Sequence, residues 1–188
     1  MRRISALEHQ VRDFVNNANL YEKYFKSRLD EWNALCVAMD ILGDTCVALE
    51  YYEDSGMGDT DGEKYLKLYG LLQAIFLQQD SIRQLYRILL GKDLQPDSNS
   101  EWDKVRDLRN LTVGHPIAKK DKAGTKRCFI SRATIRSGSF QLLVWDKEKE
   151  QIGFEDVDLE SLYEKYKSEA VILLTNIYQA QIQRWSAL

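Results

Sequence analysis

Trp32-Asn33-Ala34-Leu35-Cys36-Val37-Ala38-Met39-Asp40-Ile41-Leu42-Gly43-Asp44-Thr45-Cys46-Val47-Ala48-Leu49 is the stretch that decides the fold class. Trp32, Leu35, Met39, Leu42, Cys46 and Leu49 step alternately by three and four residues, which places them on one stripe of an α-helix packed nearly antiparallel to a neighbour. Upstream, Ile4, Leu7, Val11, Phe14, Val15, Ala18 and Tyr21 recur at the same spacing, so a helix is expected from Ile4 to Phe25. Downstream, Asp54 to Gly62 is a polar, glycine-rich break, read as an interhelical loop; its Asp59-Thr60-Asp61-Gly62 is a poor match to a calcium loop.

A third helix is expected from about Glu63 to Leu90. Its apolar stripe is interrupted by Gln78-Gln79-Asp80-Ser81. Ser98, with Glu101 three residues on, reads as a capping box for a fourth helix carrying Trp102, Val105 and Leu108. That helix stops near Gly114, read as a left-handed C-terminal glycine, because the residue before Pro116 avoids the α region. Arg127 to Arg136 and Ser139 to Trp145 are rich in β-branched and aromatic residues around Ser137-Gly138, a hairpin at about 127–146, with a short third strand at Ile152 to Phe154. Asp158 then caps a last helix running to Trp185. The fold class is mainly α: an antiparallel bundle of about five helices with a β-hairpin before the last, in one domain over 1–188.

The totals narrow the function. A net charge of -3 gives no global footprint for nucleic acid, so any such binding needs a local patch. Cys36, Cys46 and Cys128 form no CxxC pair and read as reduced thiols of a cytosolic protein. No HExxH, paired CxxC or P-loop is present, so no metal and no cofactor are expected. The opening Met1-Arg2-Arg3-Ile4-Ser5 lacks the apolar stretch of a secretory signal, and no window is read as the ~20 apolar residues that span a bilayer. The expectation is a soluble, cytoplasmic protein without a membrane partner.

There are two histidines, His9 and His115. Proton transfer near neutral pH most simply uses this side chain. His9 lies on an amphipathic helix with nothing suggestive beside it. His115 follows Arg109-Asn110, whose planar guanidinium and amide suit phosphate oxygens. Six residues apart on an unbroken helix, Arg109 and His115 would point about 120° away from each other, and the break at Gly114-Pro116 lifts that constraint. Lys119, Lys120, Lys126, Arg127 and Arg132 supply a nearby basic run as candidate RNA contacts.

Arg109-Asn110 followed by His115 resembles the Arg-x(4–6)-His signature of HEPN domains, in which a polar residue often follows the arginine. The helical order, the motif on the penultimate helix and the late insertion also look like that family. The likeness covers most of the chain in architecture and about eight residues in motif, and the hairpin departs from the minimal family pattern. It implies a metal-independent endoribonuclease that leaves 2′,3′-cyclic phosphate ends, with His115 in proton transfer, Arg109 on the phosphoryl charge and Asn110 orienting. It implies a homodimer with a composite cleft, in a toxin–antitoxin or antiviral setting, with an antitoxin or other protein as a further partner. Asp80 is the candidate supporting polar residue on the preceding helix. Two readings stand beside this one: a non-catalytic module that binds RNA, a nucleotide or a protein, and a structural role in which Arg109 pairs with an acid such as Asp80 while His115 caps a helix end.

Overall fold

The computed structural model describes residues 1–96, 100–122 and 124–185. Among them run helices α1 (Arg2–Asn17), α2 (Leu29–Ser55), α3 (Asp61–Leu90), α4 (Glu101–Arg109) and α5 (Leu159–Trp185), and strands β1 (Lys119–Asp121), β2 (Gly124–Ile130), β3 (Ser139–Asp146) and β4 (Gln151–Asp158). The mainly α class holds. The chain divides into two compact units, one of Met1–Tyr51, Leu77–Pro96 and Lys167–Leu188, the other of Tyr52–Phe76 and Asp97–Tyr166.

In the first unit the stripe read from the sequence is the core: Leu35, Met39, Leu42, Cys46 and Leu49 are buried, with Val11, Val15, Leu85, Leu174 and Ile177. The first helix is shorter than expected. It ends at Asn17, Asn19 takes a left-handed conformation (φ 50°) that asparagine tolerates, and a π-helical turn follows over Tyr21–Phe25. The polar interruption in α3 also has a structural explanation here. Buried Gln78 donates from Nε2 to Thr45 Oγ1 (3.2 Å), and Ser81 returns its hydroxyl to the Leu77 carbonyl (2.9 Å). Contrary to the reading of no such window, α2 is long and apolar enough to cross a membrane by length and composition, a test that a core helix with a buried seam also passes.

The α2–α3 break is a capping box. Thr60 Oγ1 accepts from the Glu63 backbone N–H (3.2 Å), while Glu63 Oε2 accepts from the backbone N–H groups of Asp59 and Thr60 (3.1 and 2.9 Å). The Thr60 and Asp59 hydrogen bonds hold the Glu63 carboxyl below its usual range. At the next helix start the expected cap moves. Ser98 lies outside the described residues, and Ser100 serves as N-cap of α4, accepting from Asp103 N (3.3 Å).

The second unit carries an antiparallel sheet in the order β1-β2-β3-β4, larger than the hairpin and short third strand that the sequence indicates. The Ser137-Gly138 turn is where it was expected, between Arg136 and Ser139, but β2 stops at Ile130 and a 3₁₀ turn at Arg132–Thr134 intervenes. β1 and β4 are the edge strands: β1 is short and polar, without the alternation that marks a half-buried strand, and β4 contains the expected strand at Ile152–Phe154 and extends it to Gln151–Asp158. The inner face buries Cys128, Ile130, Phe140, Leu142 and Val144. Asp158 caps α5 through Ser161 N (2.9 Å), as its position indicated.

The three thiols are free. Burial pushes Cys46 up to about 12 and Cys128 up to about 11, and raises half-buried Cys36 as well. None is poised as a nucleophile.

Candidate functional site

The motif segment lies wholly in the second unit, where the end of α4 meets the first half of α3. Arg106 and Arg109, one turn apart on α4, reach the same ring on α3: their guanidinium carbons stand 4.1 and 4.0 Å from the Phe76 centroid. A planar cation over an aromatic face gains about 0.5–2 kcal/mol, more as water is excluded. One turn before Phe76, Gln73 turns its amide oxygen to Arg109 and accepts from both Nε (3.0 Å) and Nη2 (2.8 Å). Asn110 accepts from Nη1 (3.1 Å) through Oδ1. Arg109 is half-buried, and every acceptor it holds is a neutral amide. No carboxylate among the described residues is paired with it. A positive charge has been fixed in place without being cancelled.

The segment that follows is built for close approach. Asn110–Gly114 forms a π-helical turn, closed by a bond from the His115 N–H to the Asn110 carbonyl (2.8 Å). Buried Thr112 ties the turn back to α4 through the Leu108 carbonyl (2.7 Å). Gly114 is not the left-handed cap the sequence indicated: its φ is not positive, and His115 (φ -137°, ψ 48°) ends the helix ahead of Pro116. Glycine at 114 instead gives the guanidinium room. A Cβ there would sit 2.8 Å from Arg109 Nη1. The backbone at 114 therefore lies against the guanidinium, with His115 the next residue along.

His115 is exposed, and its ring makes no hydrogen bond or ion pair among the described residues. Pro116 then hands the chain to the sheet, its carbonyl accepting from Cys128 N (2.8 Å). The turn thus keeps Arg109, Asn110 and the backbone at 114–115 at one corner. A phosphate oxygen at this corner would meet guanidinium donors already oriented by two amides and a ring. No family model, curated protein or solved structure matches this chain.

Asp80, the supporting residue read from the sequence, belongs to the other unit. There it lines a surface depression of about 470 Å³ with Arg83, Gln84 and Arg87. The α3 residue that hydrogen-bonds Arg109 is Gln73, which the sequence reading missed. The signal was present. Gln73 precedes Asp80 by seven residues, two helical turns, and so occupies the same stripe, set between Leu72 and Ala74.

The basic run is dispersed by the sheet. Lys119 and Lys126 pair across β1 and β2, while Arg127 belongs to the opposite face and Arg132 to the 3₁₀ turn. Lys119 reaches Asp107 (3.5 Å), and the groove of about 550 Å³ that it lines with Lys104, Lys126 and Lys165 also carries Glu101, Asp107, Glu155 and Asp158. Charges of both signs line that groove, so it is no basic channel. Among the described residues no group of three or more His, Cys, Asp or Glu side chains could hold a metal ion.

Proposed function

We propose that this chain is a HEPN-like, metal-independent endoribonuclease that works as a cytoplasmic homodimer in a toxin–antitoxin or antiviral setting, with an antitoxin or other protein as partner. The observation that carries the reading is the uncancelled charge of Arg109, half-buried and held, among the described residues, by Gln73, Asn110 and the Phe76 ring. A fixed cation of this kind stabilises charge that builds on a phosphoryl group without reorganising at the moment of reaction. His115, exposed and one residue beyond the backbone that lies against the guanidinium, removes the proton from a ribose 2′-hydroxyl or delivers one to the departing 5′-oxygen. The 2′-oxygen bonds to phosphorus as the 5′-oxygen leaves, giving a 2′,3′-cyclic phosphate and a 5′-hydroxyl. One chain offers a single histidine at this corner, and two-fold pairing of the corners would supply separate acid and base.

A specific observation favours a second reading. Among the described residues no carboxylate or carbonyl orients the His115 ring, and proton-transfer histidines are ordinarily held by such a partner. In that reading the corner binds the phosphates of RNA or a nucleotide without cutting. Incubating wild type, Arg109→Ala and His115→Ala with RNA, with and without a chelator, separates the two. The nuclease yields cyclic-phosphate ends that persist in chelator and vanish in both variants. Retention of RNA by wild type without any new ends leaves the binding module.

A further inference from the structure

The outer face of the sheet carries three rings with nothing over them among the described residues. Phe129 and Phe154 flank Leu143 in one row across β2, β3 and β4, and Trp145 stands in the next row with Arg127 and Ile152. The alternate residues, Cys128, Ile130, Leu142 and Val144, point into the core. Phe129 is 61% exposed and Phe154 63%, and Leu143 and Trp145 between them are half-exposed. An apolar patch of this kind on open surface marks a site of interaction.

Charge along the face is sorted. Arg127 shares a row with Trp145. Beyond it lie Lys120 on β1, in register with Thr125, and Lys147, whose N–H meets the Thr125 carbonyl. All three cations are exposed. Glu148 in the same turn is engaged by the Thr125 N–H (2.8 Å). The acids of the face, Asp156 and Asp158, stand at the opposite end, and Asp156 accepts from the Gln141 amide (3.0 Å). Rings interleaved with cations fit a polyanion that also offers flat apolar surfaces, whereas the core of a protein interface is depleted of charge.

We propose that this face binds an unpaired stretch of RNA, with bases stacked on Phe129, Trp145 and Phe154 and phosphates on Arg127 and Lys120. Spacing selects single strands. Trp145 is the diagonal neighbour of both phenylalanines, about 7–8 Å from each, and the two phenylalanines are two strand spacings, about 10 Å, apart. Bases within a duplex are stacked roughly 3.4 Å apart and hide their faces, so rings at these distances take only bases splayed from one another. The face also begins beside the candidate site. The Pro116 carbonyl accepts from Cys128 N, so the chain leaving His115 runs along β2 next to Phe129. An RNA strand held at the corner therefore continues onto the rings. The inference rests on RNA as the ligand of that corner, to which it adds a second contact surface and the class of substrate; it does not rest on cleavage.

Fluorescence anisotropy with a 2′-O-methyl oligoribonucleotide tests it, because a strand without free 2′-hydroxyls binds but cannot form a cyclic phosphate. Wild type binds the single strand at least tenfold tighter than the same strand annealed to its complement. Phe129→Leu/Phe154→Leu keeps apolar bulk, removes two rings and lowers single-strand affinity about tenfold, while Phe129→Tyr/Phe154→Tyr retains it. Arg127→Glu lowers it by a similar factor, and by less as salt is raised. Circular dichroism checks that each variant is folded, and if the leucine pair is not, Arg127→Glu decides. Equal affinity for duplex and single strand overturns the proposal, as does a leucine pair that binds like wild type. Loss of affinity in Arg109→Ala with none in the leucine pair overturns it and leaves the corner's reading standing. No binding by wild type overturns both. Binding that needs the rings, from a protein that leaves unmodified RNA uncut, sustains this face and sinks the nuclease. A leucine pair that sediments as a smaller species than wild type yet keeps its RNA affinity makes the face a protein interface instead.

Discussion

Each unit of this protein holds an arginine and a histidine close in sequence, and the two corners have been built in opposite ways. In the first unit Arg12 is clamped by carboxylates: Glu8, only 4% exposed, accepts from Nε at 2.6 Å, and Asp40 accepts from Nη1 at 2.9 Å. Burial works against the charged guanidinium, but the hydrogen bonds and charges of Glu8 and Asp40 outweigh it and raise its pKa. His9 beside it turns Nδ1 to the Ser5 carbonyl at 2.7 Å. In the second unit Arg109 is held as tightly by Gln73, Asn110 and Phe76, none of which carries a negative charge. The lesson is that geometry and neutralisation are separable. Carboxylates spend the cation on the fold, whereas amides position it and leave its field available to an anion.

The largest effect that sharpens this contrast is catalytic. His115→Ala should lower RNA cleavage by roughly 10²–10⁴, the range for loss of a proton-transfer group. Arg109→Ala should lower it by roughly 10²–10³, as for removal of a donor to a developing oxyanion. His9→Ala and Arg12→Ala should leave cleavage by the folded protein unchanged. Single-turnover rates on one oligoribonucleotide, corrected for folded fraction, decide the matter, and equal losses at the two corners would erase the distinction.

The converse holds for stability. Glu8→Gln leaves Arg12 with one carboxylate and a neutral amide. Because Glu8 is buried, the loss should be about 2 kcal/mol, or a Tm lower by roughly 6 °C for a chain of this length. RNA affinity should not move. A thermal melt beside a binding isotherm checks both halves, and a fall in affinity without a fall in Tm would assign the first corner to the ligand.

Gln73→Glu turns the second corner into a copy of the first. The carboxylate keeps both hydrogen bonds and cancels the charge. Affinity for RNA should drop about tenfold, and the slope of log K against log salt should shrink by about one ion. Stability should hold or rise. An unchanged salt slope would mean that Arg109 never meets a phosphate.

What the sequence disclosed, and what it hid, follows from the range over which each feature is encoded. The α2 stripe and the Asp158 cap are patterns within a few turns, and Leu35, Met39, Leu42, Cys46 and Leu49 are buried, and Asp158 bonded, where the sequence places them. β1 has no such local mark, and β4 has one only over Ile152–Phe154. Lys119-Lys120-Asp121 becomes a strand only because β2 offers it hydrogen bonds, and partner supply is not written in the segment itself. The site divides the same way. Arg109, Asn110 and His115 could be singled out from local spacing, whereas Gln73, whose partner lies 36 residues away, shows only as the residue two turns before Asp80 on the same stripe. Asp80 attracted notice because four consecutive polar residues break a stripe, and two of those four are explained by packing around Thr45 and the Leu77 carbonyl.

The smallest expected effect concerns two glycines that face the two arginines. Gly43, inside α2, would place a Cβ 3.7 Å from Arg12 Nη2 and 3.8 Å from the Glu8 carboxyl, ordinary contact distances. Alanine fits there, and removing a mid-helix glycine should stabilise the protein by about 0.5–1 kcal/mol with cleavage unchanged. Gly114 would place the same atom 2.8 Å from Arg109 Nη1, too near for the guanidinium to stay over Phe76 with its amide partners. The end of an arginine side chain yields, so Gly114→Ala should fold. Its cleavage rate should fall roughly three- to tenfold through misplacement of the cation. Crystal structures of the two variants would show Arg12 unmoved and Arg109 displaced. If Gly114→Ala left both the rate and the position of Arg109 intact, the close approach would have no part in holding the cation, and the π-helical turn would be there only to end α4.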